Sequence, residues 1–257
     1  MTGMTSYLFQ AWNTVGKEND KFKDLLLDTG TEEIGHIEML ANMINLLLKD
    51  SPLNVQESIY NNNDAKIASV LSGMDPNHGI LNGLGANLNN PNGTPWTAAY
   101  MSASGNMLAD MRFNVTRESM GRPQVTRLYH MTEDEGIRDM LAFLMARETQ
   151  HQLQFIEAAE ELEKQYGVVV PYGTKDLEHS KFNHTVMNFS EGEASGEFYE
   201  GRTAKDGEKF KYEKDPSPHG GMGNPAPSPE DIRNTQGEIT IEQGKKLIED
   251  LSHHVDR

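Results

Sequence analysis

Apolar residues recur every three or four positions through most of the first two-thirds of the chain, the spacing of helices that bury one face. Met1, Met4, Tyr7, Leu8 and Ala11 mark a first helix over residues 1–15. No capping residue precedes its first apolar position, as one normally does. The pattern therefore predicts a helix that begins upstream of Met1. Thr31 opens a second helix, predicted to run to Lys49, with Glu32 and Glu33 in the first turn where the helix dipole favours acids. Asp50-Ser51-Pro52 ends it. Residues 51–93 read as short helical pieces and an Asn/Gly-rich loop from Asp75 to Gly93, an unusually long crossover. Thr94-Pro95 has the form of a cap followed by a first-turn proline and predicts a long helix to Met120, closed by Gly121. A shorter helix follows over Pro123–Met131. Thr132 caps another long one to Tyr166, closed by Gly167. Val168-Val169-Val170-Pro171 reads as one short strand. The rest of the chain is rich in Gly, Pro, Ser and charge and has too few apolar residues for a core of its own. The predicted fold is all-α: a four-helix bundle over 1–166 and an irregular extension over 167–257 that wraps the bundle or neighbouring subunits.

Two pairs break the apolar stripes. Glu33-Ile34-Gly35-His36 and Glu148-Thr149-Gln150-His151 are both Glu-x-x-His, which places a carboxylate and an imidazole on one helix face, a turn apart. One such match is expected by chance in a chain with this many glutamates and nine histidines. Position is the stronger signal. Glu33 and His36 continue a stripe through Leu40, Met43 and Leu47, while Ile137, Leu141, Leu144, Glu148, His151, Phe155 and Leu162 share another. Glu118 follows Met107, Met111 and Val115 in the same way, with Arg117 beside it. A lone inward histidine is usually a hydrogen-bonded core residue, and a lone inward glutamate usually pairs with Lys or Arg. Three carboxylates and two imidazoles on three inward faces, with few cations on those stripes, are better satisfied by bound metal. Helical bundles that hold two metal ions take one further Glu from another helix. Residues 1–15 contain no acid, so that Glu is expected upstream of Met1.

Composition narrows the chemistry. Without cysteine, disulfides and thiolate ligands are excluded, and any metal must use His, Asp, Glu, backbone or water. The lack of thiols suits exposure to oxidant, although fourteen methionines weigh against that reading. A formal net charge of −16 argues against nucleic acid as a partner. No run of eighteen apolar residues is available to span a membrane, and the start lacks the basic region and cleavage site of a secretory leader, so a cytoplasmic protein is expected. The remaining histidines (His78, His130, His179, His184, His253 and His254) have no helical Glu at ligand spacing and read as surface or structural.

The segments Ser6–Asn13, Asp28–Leu40, Arg117–Arg122 and Ala146–His151 together resemble the non-haem manganese catalases, and the similarity continues into the tail. The resemblance implies a ferritin-like bundle that dismutates hydrogen peroxide to water and dioxygen at two manganese ions per subunit. It implies metal ligands at Glu33, His36, Glu118 and His151, with Glu33 bridging. It gives Glu148, together with Arg117, the handling of protons rather than ligation, and Tyr7 is placed to hydrogen-bond the bridge region. Asp24 and Asp28, with Asn188, Ser190 and Gly192, match the family's calcium site, and all are oxygen donors of the kind calcium takes. A homo-hexamer is the implied assembly. Two other readings share these residues: a di-iron ferroxidase or peroxidase on the same scaffold, and a non-enzymatic spore-coat component.

Overall fold

Each of the long predicted helices pairs with a neighbour. The structure, a computed structural model, describes residues 1–49, 81, 83, 85–90, 92–190 and 192–217. α1 (Thr2–Trp12) packs along α2 (Asp20–Leu48), and α3 (Met107–Met131) along α4 (Glu135–Tyr166). α1 also touches α3, and α2 touches α4, which closes a ring of four helices. The core draws on every member: Tyr7 and Ala11, Phe22 and Leu26, Leu108 and Met111, and Phe155, Ala158, Ala159 and Leu162. Apart from the adjacent Ala158 and Ala159, these residues stand three, four or seven apart within each helix, so the stripe spacing carries straight into packing. Burying Leu26, Leu108, Phe155 and Leu162 contributes roughly 1.5–3 kcal/mol each. That helps offset the polar groups sealed into the same interior. Among the described residues no helix is long and apolar enough to cross a membrane.

Several boundaries differ from those predicted, and tertiary contacts explain why. α2 begins at Asp20, not Thr31. Gly16, at φ +88°, turns the chain after α1, and a short 3-10 turn over Lys17–Asn19 leads into α2. Asp28-Thr29-Gly30-Thr31 looks like a break in sequence but lies inside the helix. Gly30 is buried where Leu8 of α1 comes closest, and a β-carbon there would stand 2.8 Å from Leu8 Cδ2 and 3.3 Å from its backbone nitrogen.

Thr94-Pro95 does not open a helix. Pro95 forms an isolated bridge with Asn89, and Thr97 caps only a 3-10 turn over Ala98–Tyr100. The next residues stay out of the helix because their backbone groups are taken. Ser102 N–H donates to Ser6 Oγ (3.1 Å), Ser102 O accepts from Gln10 Nε2 (2.9 Å), and Ser104 N–H donates to Asp110 Oδ1 (2.8 Å). Asn106 then caps α3 by accepting from Ala109 N–H at 3.0 Å. Gly121 and Pro123 do not end α3, which continues along α4 through Arg122 Nε to Thr149 Oγ1 (3.1 Å) and Thr126 Oγ1 to Met145 Sδ (3.3 Å). The cap of α4 is Asp134 rather than Thr132, and Gly167 (φ +95°) closes it as expected.

Residues 168–171 form no strand. Val170 and Tyr172 pack against the core, and Arg112 donates to Val168 O at 2.6 Å. On α2 the buried stripe stops at His36: Leu40 and Leu47 are 41% and 55% exposed. α1 has 11 residues against the 29 of α2, so it covers only the first part of that helix. The short helical pieces expected between 51 and 80, along with His78, His253 and His254, lie outside the described residues.

The chain divides into two compact units, Met1–Thr174 and Lys175–Arg257. Within the second, β1 (Thr185–Met187) and β2 (Lys211–Glu213) pair in parallel, with Val186 opposite Tyr212. α5 (Ala194–Tyr199) contacts β2 through Gly196, which sits directly under the Tyr212 ring.

Candidate metal centre

α2 supplies Glu32, Glu33 and His36, α3 supplies Arg117 and Glu118, and α4 supplies Arg147, Glu148 and His151. Their side chains converge inside the ring. His36, Glu118 and His151 are buried, and Glu33 nearly so. Two sets of potential ligand atoms each fall within 4.8 Å: Glu33, His36 and Glu148, and Glu33, Glu118 and His151. Glu33 belongs to both. Its Oε1 lies 3.3 Å from His36 Nδ1 and 3.2 Å from His151 Nδ1, and Glu118 Oε2 lies 3.8 Å from His151 Nδ1.

These atoms fit a metal better than they fit one another. Glu33 Oε1, Glu118 Oε2 and both ring nitrogens of His36 and His151 are buried without an aligned hydrogen-bond partner. A buried polar group left in that state costs about 1–3 kcal/mol, and more when charged. Six such atoms within one small volume would be a large penalty for a purely structural cluster. Oxygen and imidazole donors without sulfur suit manganese among other first-row metals.

The local electrostatics follow the same grouping. Burial raises Glu33, but the two histidines beside it outweigh that and hold it at about 2. Burial, together with the facing Glu148 carboxylate, pushes Glu118 up to about 8. For His151, burial acts downward and is overcome by Glu33, Glu32 and Glu118, which raise it to about 9. Burial, reinforced by Glu118, also raises Tyr7, whose hydroxyl donates to Glu118 Oε1. Tyr7 is thus inward as expected, and its partner is Glu118.

Arg117 and Glu148 are arranged differently from the sequence expectation. Arg117 stacks over Phe113 at 4.9 Å from the ring centroid, its Nε is buried without an aligned partner, and it makes no ion pair with Glu148. Burial lowers it, opposed by the fields of Tyr7, Glu118 and Glu33. Glu148 instead lies against Gly121, where a β-carbon would stand 3.0 Å from its Oε2. The glycine read as a helix stop therefore keeps the Glu148 position open.

Sequence reasoning missed two groups. From the sequence, Glu32 reads as a partner of the helix dipole. In the structure its Oε2 is 3.0 Å from His151 Nε2, its Oε1 is 3.4 Å from His36 Nε2, and Arg147 grips both oxygens at 2.6 and 3.2 Å. Arg147, first, holds Glu32 at about 2 against burial, with His151 assisting. The i, i+4 spacings of Glu32 to His36 and of Arg147 to His151 were the available signal. The second group is the reciprocal amide pair of Gln10 and Asn114, at 3.0 and 2.7 Å and fully sequestered.

The residues matched to calcium lie in different units. Asp24 and Asp28 are exposed one turn apart on α2. Asn188, Ser190 and Gly192 close a small loop: Asn188 Oδ1 accepts from Ser190 N–H (3.0 Å), and Asn188 Nδ2 donates to Gly192 O (3.0 Å). His184, read as structural, pairs with Asp206 at 2.7 Å.

Comparison with known proteins agrees with this geometry. A sequence profile of manganese-containing catalases matches residues 1–248. The manganese catalase of Lactiplantibacillus plantarum is 55% identical over 236 residues, 92% of this chain and 86% of that protein. The manganese catalase of Bacillus subtilis strain 168 is 51% identical over 232 residues, 89% of this chain and 83% of that protein. Among solved structures, KatB, a manganese catalase from Anabaena PCC7120, superposes with a TM-score of 0.60 at 24% identity, covering 84% of each chain.

Proposed function

The chain belongs to the manganese-containing catalase family, an enzyme family that dismutates hydrogen peroxide, and from that premise we propose how its own residues carry the reaction. When bound, manganese supplies the two-electron exchange by which one peroxide is reduced to water and another is oxidised to dioxygen. Glu33, His36, Glu118 and His151 would hold two ions per subunit, with Glu33 common to both. The observation that carries this assignment is the set of buried, unaligned carboxylate and imidazole atoms converging from three helices.

The reductive half of the reaction consumes two protons and the oxidative half releases two. A group beside the clusters must take and return them. Glu148 is that group: it faces Glu118 within the same interior, and Gly121 leaves its carboxylate unobstructed. Tyr7 fixes Glu118 by donating its hydroxyl to one oxygen, which leaves the other directed at His151. The positive field of Arg117 falls on Tyr7, Glu118 and Glu33 and favours their ionised forms without an ion pair to any of them. Leu141, Leu144 and Phe155 are buried on the same α4 stripe that carries Glu148 and His151.

The manganese-loaded full chain should release oxygen from hydrogen peroxide, with elemental analysis near two manganese per subunit. Peroxide consumption that requires an electron donor and yields no oxygen would favour the peroxidase reading. Metal at that level with no turnover would favour a structural role. Calcium is the further ion we propose, with Asp24, Asp28, Asn188, Ser190 and Gly192 as its oxygen donors. A homo-hexamer working in the cytoplasm completes the proposal. Light scattering tests the hexamer, and calcium-dependent melting tests the calcium site.

A further inference from the structure

Two histidines in one site each need something to hold the ring nitrogen that does not bind metal. His36 and His151 turn Nδ1 toward Glu33, at 3.3 and 3.2 Å. The opposite nitrogens, Nε2, both turn toward Glu32, at 3.4 and 3.0 Å. Each oxygen of Glu32 faces a different imidazole, and the same two oxygens accept from Arg147 Nε (2.6 Å) and Nη2 (3.2 Å). The arrangement is symmetric in sequence: Glu32 stands four residues before His36 on α2, and Arg147 four before His151 on α4. One carboxylate thus reaches both rings, and a guanidinium from the facing helix fixes its plane in the bidentate geometry specific to Arg.

Resting on the metal reading above, we infer that Glu32, clamped by Arg147, is the positioning residue that sets both His36 and His151 to bind metal through Nδ1. Histidine ligands commonly donate the second ring N–H to a carboxylate, which selects the tautomer and makes the ligand nitrogen more basic. Here one carboxylate serves two ligands. The approaches stand at hydrogen-bond distance without hydrogen-bond alignment, and alignment tightens when a site is filled. Arg147 also balances the charge of Glu32, so the pair orients the histidines without adding net charge to a centre that already holds Glu33, Glu118 and Glu148. Gln at position 32 could accept from only one imidazole and would turn an amide N–H₂ toward the other and toward Arg147.

The test uses the full chain and two variants, Glu32→Gln and Arg147→Ala. Three quantities are measured: manganese affinity, the melting temperature of the metal-free protein, and the Raman ring-stretching bands that separate Nδ1-bound from Nε2-bound histidine. Glu32 and Arg147 are each about a third exposed, so breaking their pair should move metal-free melting little. Manganese affinity should nevertheless fall about 10- to 100-fold in either variant. The wild type should show Nδ1-bound histidine only, and Glu32→Gln a mixture. Wild-type affinity in Glu32→Gln, or Nε2-bound histidine in the parent, would overturn the inference while leaving the metal reading standing. A parent chain that takes up no manganese would overturn both. If Glu32→Gln fails to fold, Arg147→Ala carries the same comparison alone, and parental affinity in it would overturn the clamp.

Discussion

Glu148 lies within ligand distance of Glu33 and His36, yet its proposed role is that of a proton carrier, and the two roles predict different losses. Glu148→Gln keeps the shape and one oxygen but removes the basic site. It should retain metal and lose turnover by about 10²- to 10⁴-fold. Oxygen evolution normalised to manganese content separates the cases: a loss that merely tracks missing metal would make Glu148 a ligand, and turnover equal to the parent would remove it from the chemistry. At this scale much of the site was legible. Glu33, His36, Glu118 and His151 interrupt apolar stripes, and stripe position alone brought them into one interior. Glu32 was hidden because an acid in what looked like a first helical turn has a ready local explanation. That explanation lapses once α2 is seen to begin at Asp20.

Helices obey the contacts they make more than their own punctuation. Gly30 sits in the middle of α2 because Leu8 of α1 occupies the space a side chain would need. Gly30→Val should push α1 from α2 and destabilise the protein by roughly 1–3 kcal/mol, the usual cost of overpacking. Urea denaturation of the metal-free protein gives the value directly, and an unchanged midpoint would mean that Leu8 moves aside freely. The same logic explains the misread ends. Asp28–Thr31 and Gly121–Pro123 carry turn residues, but tertiary packing holds both segments helical. Thr94-Pro95 carries a helix-start signature, but the following backbone is bound by Ser6, Gln10 and Asp110. Ser6 and Gln10 lie on α1, 96 and 92 residues from Ser102, so no local window could reveal them. Gln10 and Asn114, 104 residues apart, are the plainest case.

Across the whole chain the acidic balance and the buried carboxylates point to one dependence. A net charge of −16 and three carboxylates gathered in one interior oppose folding unless cations compensate. Bound manganese should therefore stabilise the native state by about 2.7 kcal/mol per site when the free ion stands at 100 times its Kd. Stripping the metal with a chelator should lower the melting temperature, and restoring manganese should recover it. A melting temperature indifferent to chelation would separate the site from the stability of the bundle. The mostly helical architecture with its core on α1 to α4 followed from periodicity, because each stripe became a packed face. The way the helices pair did not, since periodicity says which face is buried and nothing about which neighbour buries it.

Glu33 enters both clusters, which ties the two occupancies to each other. Manganese in either set would need Glu33 held in place, and the other set depends on the same carboxylate. Half-filled molecules should accordingly be scarce, and uptake should rise more steeply with free manganese than an isotherm for independent sites.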